Sequence, residues 1–397
     1  MDQSLVEHFV EHFDHHDPRL GAEPEPIYAA MRADHPVAHS DVHGGFWVIS
    51  DYENARYVLQ HPELFTTRET VTIPPGLGNA RPLLPLELDP PEHVKYRNLL
   101  APVFAPRRIE ALGEKIRANC DRLIDAFIDR GGCDLVSEFA SPLPSMIFVE
   151  MMGLPYEHYT QFHTWKDVIL HGHHDDVDGS KRKAAGQEVH TYINELIGRR
   201  KSDLSDDIIS VLITAEVEGE KLTDEEIIDV TYLLFLAGLD TVTSAISLSF
   251  LHLATDAARR EAIVADPSLI PAAVEELLRY ESLVMAGRTV VEDTEVGGVE
   301  MRKGDRVLVN TISANRDSTF FENADEIDFS RRERRHLAFS VGPHRCVGSH
   351  LARLELRVAM ERFHQRIPDY RVPAEVTPKR YLTSVAGIET LPLEWTR

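Results

Sequence analysis

Cys346 is the residue of this chain best placed to do chemistry. It lies in Phe339-Ser340-Val341-Gly342-Pro343-His344-Arg345-Cys346-Val347-Gly348, and a helical pattern from Ser349 to Leu356 follows at once. A cysteine just ahead of a helix start meets unpaired backbone N–H groups and the positive end of the helix dipole, and both favour the thiolate. N–H donors to the sulfur would also tune it as a ligand. His344 and Arg345 add positive charge, and Phe339 can pack beside the sulfur. Gly342 can take a positive φ, while Gly348 lets the backbone approach a flat ligand. By residue type the loop suits a thiolate ligand, and it leaves a redox or nucleophilic cysteine open. Cys120 and Cys133 fit neither a zinc site nor a disulfide framework by spacing and read as buried small apolar residues.

The pattern Phe-x-x-Gly-x-x-x-Cys-x-Gly resembles the haem-binding signature of the cytochrome P-450 family. His336-Leu337-Ala338 before it and Leu351-Ala352-Arg353 after it also match, while Ser340 and Val341 depart from the usual choices. In that family a thiolate pushes electron density toward iron and favours O–O cleavage. The resemblance therefore implies haem b with Cys346 as axial ligand. Glu276-Leu277-Leu278-Arg279 is similar to the family's Glu-x-x-Arg pair, and spacing of three puts both side chains on one helix face. Arg331 takes the third place in that structural network, and Ala324 stands where a proline is usual. Ala237-Gly238-Leu239-Asp240-Thr241 is similar to the oxygen-activation segment. The resemblance gives Ala237 and Gly238 the task of leaving room at the haem, Thr241 a hydroxyl for dioxygen, and Asp240 an acid that relays protons. Such a pair also has an ordinary structural reading, with the threonine bonded back to a carbonyl and the aspartate meeting a surface arginine. His93 and Arg97, four apart, together with Arg288 and His344, correspond to the family's partners for the haem propionates.

The resemblance is nearest to soluble bacterial camphor and terpenoid hydroxylases. It implies a monooxygenase that consumes O2 and hydroxylates a small hydrophobic substrate. The pocket would come from Thr72, Arg81, Leu83, Leu233, Ala237, Val284, Ser384 and Val385, which are mostly apolar. An inward Arg81 would bind a carboxylate or carbonyl, and an outward one is a plain loop residue. No Gly-rich βαβ turn for a flavin or nicotinamide nucleotide occurs. The resemblance thus implies electrons from NAD(P)H through a ferredoxin reductase and a ferredoxin. Ferredoxins are acidic, so a basic docking face is expected at Lys95, Arg97, Arg107, Arg108, Arg345, Arg353 and Arg357. A peroxygenase of the same fold usually lacks the acid–alcohol pair, and a non-catalytic haem module would lack Thr241 or Cys346. Both residues are present.

Helical periodicity supplies most of the elements that must hold these groups. Pro106 to Arg130 carries Ile109, Leu112, Ile116, Cys120, Leu123 and Phe127 at helical spacing. The longest helix begins at a Thr223/Glu226 capping box and continues past Phe250. Strand signals are confined to Gly45–Ile49, to hairpins after Arg288 with turns at Gly297-Gly298 and Lys303-Gly304-Asp305, and to the C-terminal run. The expected fold is mainly α with a small β region: the cytochrome P-450 fold as one large domain, 1–397, around a buried haem, with residues 1–25 loosely ordered. The chain has 397 residues and a net charge of -23, which argues against wrapping nucleic acid or lying on an anionic membrane. The apolar stretch near Leu233 to Leu253 contains Asp240, and Met1 to Phe13 lacks a basic start with an apolar core. The expectation is a cytoplasmic monomer without a membrane anchor. The His171–Asp176 stretch reads as a solvated loop rather than a metal site.

Overall fold

The computed structural model describes residues 3–22, 24–69, 71–172, 176, 178–396. Its centre is the helical run Asp224–Leu239 and Thr241–Thr255. Thr223 caps the start: Glu226 N donates to Thr223 Oγ1 at 3.2 Å, and Thr223 N donates to Glu226 Oε2 at 2.7 Å. The run is interrupted at Asp240, where φ is -117° and ψ is -44°, so the single expected helix is two. Apolar residues surround both halves. A helix that is apolar all round belongs in a core, and 78% of the most apolar window is indeed buried inside the protein. Pro142–Met151, Tyr159–His171 and Ser180–Ser202 pack along the first half. Gly113–Asp125 and Ser349–Arg366 complete the core beneath the second, with Ile116, Phe139, Phe250, Leu356 and Phe363 all essentially inaccessible. The long pattern from Pro106 is broken at Ala111-Leu112 into Pro106–Glu110 and Gly113–Asp125.

The β region is a five-stranded sheet in the order Val37–Ser40, Phe46–Ile49, Arg306–Val309, Ala286–Val290, Phe65–Thr66. Only the pairing of Phe46–Ile49 with Arg306–Val309 is parallel. Alternation sends Ile49, Val307 and Val309 to one face, where Tyr52–Gln60 covers them. Phe46, Val48 and Leu308 point to the other. That second apolar face needs a cover, and the N-terminal segment provides it. Residues 1–25 were expected to be loosely ordered. Instead, Gln3–Glu11 and Pro18–Ala22 are helices, and Phe9, Phe13 and Leu20 are fully buried against the sheet. The correction follows from burial: Phe9 at the end of the first helix and Phe13 just after it both pack into the cluster under the sheet.

The Gly297-Gly298 turn joins Thr294–Val296 to Val299–Met301, with both glycines at positive φ. The His171–Asp176 stretch falls partly at 173–175, outside the described residues. Among the described residues no cluster of histidine, cysteine and acidic side chains could hold a metal ion.

Candidate active site

The thiolate loop is held by backbone bonds and by one glycine. Cys346 N donates to Phe339 O at 2.9 Å and Arg345 N to Gly342 O at 3.1 Å. Gly342 has φ +74°, and an added Cβ would sit 2.7 Å from Leu59 O, so no other residue fits there. Gly348 precedes helix Ser349–Arg366 with an ordinary φ of -79°. A Cβ on it would meet only Cys346 Sγ, at 3.9 Å. Its missing side chain keeps the flank of the sulfur clear for a flat group. The Arg353 guanidinium lies 4.4 Å over the Phe339 ring and pairs with Glu275 at 2.6 Å. Glu275 also meets His336 at 3.2 Å. Burial opposes ionisation of Glu275, but Arg353 and His336 prevail and hold its pKa at about 2.

Cys346 is exposed as a residue. Burial pushes the thiol up, despite the Gly348 N–H and the charges of Arg97, Arg345 and Arg353. The free, low-pKa cysteine expected from its place before a helix is therefore corrected: desolvation outweighs the helix start. A metal ion deprotonates a coordinating thiol outright. The loop consequently suits a ligand better than a free nucleophile.

Four cationic or donor side chains meet near this loop. The His93 and His344 rings lie 4.5 Å apart, Arg97 Nη2 donates to Arg345 O, and Arg288 Nη1 donates to Gly287 O at 2.6 Å. Arg288 is buried in its strand, with Asp89 as the acidic charge that acts on it. Burial pulls its pKa down to about 10, with Asp89 opposing. His344 is pulled to about 3 by burial and by Arg288, His93 and Arg97. His93 Nδ1 and His344 Nε2 are buried without hydrogen-bond partners. Buried donors without acceptors are costly. An anionic group laid between them would satisfy all four, and a haem with its propionates fits that donor set.

On the central helical run, Leu233, Ala237 and Thr241 recur every four residues. They form the accessible stripe of an otherwise buried helix, with Ala237 exposed between buried Leu236 and Leu239. A small residue on that stripe leaves space for a small ligand. Gly238 has a different role from the expected one. A Cβ there would fall 2.4 Å from Phe148 Cδ2, so the glycine serves close packing on Pro142–Met151 and not the haem side. Thr241 Oγ1 donates to Ala237 O at 3.2 Å. Asp240 is 2% exposed. Its Oδ1 accepts from Lys166 Nζ at 2.7 Å, and its Oδ2 lies 3.2 Å from His171 Nε2. Burial opposes ionisation, yet His171 and Lys166 hold this carboxyl far below the usual range. Sequence reasoning missed both partners. They come from helix Tyr159–His171, distant in the chain, and carry no local signature.

The segments bearing Thr72, Val284, Ser384 and Val385 are tied to one another. Gly287 N donates to Val71 O at 3.0 Å and Ala386 N to Leu283 O at 2.8 Å. Ser384 Oγ is buried and without a partner, and Leu83 is buried. Arg81 is a correction. Its Nε and Nη2 bind both oxygens of Asp229, at 3.0 and 2.9 Å, and Nη2 also donates to Glu225 O. Asp229 lies one turn before Leu233 on the accessible stripe, so Arg81 reaches the rim of the pocket with its charge already neutralised. It tethers the 67–91 loop to the central helix. Replacing it by alanine is expected to leave the affinity for acidic and neutral candidate substrates in the same ratio. Thermal stability should fall by about 1 kcal/mol. Spectral titration checks the first and calorimetry the second, and a selective loss of acid binding would restore the substrate role.

The structural network is complete. Arg279 donates to Glu276 at 2.9 and 2.8 Å and to the carbonyls of Asn315, Ala324 and Glu326. Arg331 Nε meets both Glu276 oxygens at 3.0 Å, and its other nitrogens bind the Glu322, Asn323 and Glu326 carbonyls. Ala324, at the usual proline position, contributes its carbonyl here.

A family model described as Cytochrome P450 matches residues 42–368. The probable cytochrome P450 127A1 of Sinorhizobium fredii is 35% identical over 352 residues, 88% of this chain and 84% of that protein. The steroid C26-monooxygenase of Mycobacterium tuberculosis (strain H37Rv) is 33% identical over 94% of each. Among solved structures, CYP109E1 from Bacillus megaterium in complex with testosterone superposes with a TM-score of 0.88 at 28% identity, covering 96% of this chain and all of that one. The chain belongs to the cytochrome P450 family. It is a haem-dependent monooxygenase, an oxidoreductase that uses O2.

Proposed function

We propose that this protein hydroxylates a compact hydrophobic substrate of terpenoid-like skeleton in the cytoplasm, with electrons passed from NAD(P)H through a ferredoxin reductase and a ferredoxin. The observation that carries this reading is the gathering of the donors His93, Arg97, Arg288 and His344 at the Cys346 loop. Cys346 would ligate the iron and the four donors the propionates. When bound, the haem supplies dioxygen activation and oxygen insertion. The chain's own residues do the rest. Leu233, Val284 and Val385 exclude water and hold an apolar substrate. Thr241 presents a hydroxyl beside the open stripe, and Asp240 brings protons to it. Relatives include a steroid monooxygenase and a testosterone complex, which favour a polycyclic isoprenoid skeleton over a linear acid, as does the neutralised Arg81. Turnover under isotopically labelled dioxygen with a ferredoxin system tests the reaction. One labelled atom in the product supports it, and product without label overturns it.

Docking on the cysteine side is supported by charge. Of the seven expected cations, Lys95 pairs with Glu218, Arg108 with Asp206, Arg353 with Glu275 and Arg357 with Glu110. Arg97 turns inward. Arg107 and Arg345 keep uncompensated charge among the described residues. Beside the thiolate loop, a groove of about 430 Å³ gathers Arg345 and Arg334 with Arg56, Arg335 and Arg353, of which the last three are paired with Glu53, Glu333 and Glu275. On a chain of net charge -23, such a concentration suits an acidic partner. The kcat/KM for ferredoxin is expected to fall roughly tenfold as salt rises from about 0.05 to about 0.5 M. A rate independent of ionic strength would exclude an electrostatic docking face.

A further inference from the structure

Asp240 is held unevenly. Oδ1 has the Lys166 ammonium at 2.7 Å. Among the described residues Oδ2 has no aligned donor and lies 3.2 Å from His171 Nε2, which is itself buried without an aligned partner there. The other ring nitrogen, Nδ1, is 2.8 Å from Thr383 Oγ1. That hydroxyl donates to Val385 O at 3.1 Å. A threonine hydroxyl has one hydrogen. Directed to Nδ1, that hydrogen would leave the ring hydrogen on Nε2; with it directed to Val385 O instead, Oγ1 accepts from the ring and Nδ1 carries a hydrogen. In a neutral ring Nε2 then has only a lone pair, and it faces a carboxylate oxygen: two acceptors in contact. The contact becomes favourable when one proton lies between Nε2 and Oδ2.

The exposure of the two groups gives that proton a direction. The His171 side chain is 20% accessible, while that of Asp240 is 2%. The His171 ring is thus the more accessible of the two groups, although its Nε2 is itself buried. The Lys166 ammonium is shared between Asp240 and Asp167, at 2.6 Å from the latter. The other titratable groups facing the pair are His163, on the same helix, and Tyr381, whose ring centroid lies 5.1 Å from that of His171. His163 Nε2 is engaged with Ser145 Oγ.

We propose that His171 is a positioning residue that holds the replacement proton against Asp240 Oδ2, with Thr383 fixing its tautomer. This rests on Asp240 acting as the proton-delivering acid. The single proton passes from His171 Nε2 to Asp240 Oδ2 and from Oδ2 on toward the accessible stripe, which leaves the carboxylate ionised as before. The ring becomes the neutral Nδ1–H tautomer and regains a proton at Nε2 from solvent, and no electrons move. Thr383 adjoins Ser384 and Val385, the segment proposed to touch substrate. A shift of that segment on substrate binding therefore acts on the tautomer, and through it on the acid.

The test uses holoenzyme with nitrogen-15-labelled histidine, reduced and bound to carbon monoxide, read by NMR. The His171 signals are assigned by their loss in His171→Gln. The expected result is a ring protonated at Nδ1 throughout, with that preference lost in Thr383→Val. A neutral ring bare at Nδ1 and protonated at Nε2 overturns the proposal. In turnover, His171→Gln should lower the yield of product per electron pair roughly tenfold, short of the loss expected on removing an acid–base group itself. Its solvent deuterium isotope effect should rise. Unchanged yield and isotope effect also overturn it. If His171→Gln fails to fold, the resonances are assigned in Thr383→Val and the tautomer still decides. Product formation by the unaltered protein separately tests the reaction proposed above.

Discussion

With serine in place of Cys346, the reduced, carbon monoxide-bound protein is expected to lose the red-shifted Soret band of thiolate ligation, and turnover to fall at least about a thousandfold, about 4 kcal/mol of transition-state stabilisation. The reason is electronic, because an alcohol oxygen cannot supply the electron density that a thiolate gives to iron. Serine is close to cysteine in size, and the loop is held by the Phe339 and Gly342 carbonyls rather than by the sulfur. Fold and haem uptake are therefore expected to survive, which separates loss of the ligand from loss of the loop. A variant that kept both the band and the rate would remove Cys346 from the chemistry.

The second large effect is expected at Glu276. Alanine there leaves the Arg279 and Arg331 guanidiniums, each almost inaccessible, without a carboxylate. Removing one partner from a buried ion pair costs about 3–5 kcal/mol. The carbonyls these arginines bind belong to residues 315–326, just ahead of the thiolate loop. The variant should thus lose haem as well as stability. Cutting the exposed Arg302–Asp293 pair is the control, with no measurable change expected. Equal melting temperatures for Glu276→Ala and the unaltered protein would show that the network is dispensable.

The chemistry that depends on neighbours in sequence was legible. Cys346 with its glycines, the Glu276–Arg279 spacing, and the Thr223 cap that starts the central helix all act over a few residues. What escaped depends on distant contacts. Lys166 and His171 gain meaning only when helix Tyr159–His171 packs on Asp240. Arg81 stood among pocket residues until Asp229 was seen to hold it. The N-terminal segment was expected to be loosely ordered because the sheet face it covers is assembled from Phe46, Val48 and Leu308, which lie outside that segment. The thiol of Cys346 followed the same logic: the helix start is visible in sequence, whereas the desolvation that outweighs it is not.

The contact of Gly238 with Phe148 has a consequence for anyone who sets out to redesign the pocket. Positions 237 and 238 are adjacent, yet they answer to different neighbours: 237 to whatever occupies the accessible stripe, and 238 to a phenylalanine on another helix. A mutant library that diversifies the two together will be dominated by clones that fail at 238. One that varies 237 alone, or couples 238 to a smaller residue at 148, explores new substrates on an intact scaffold.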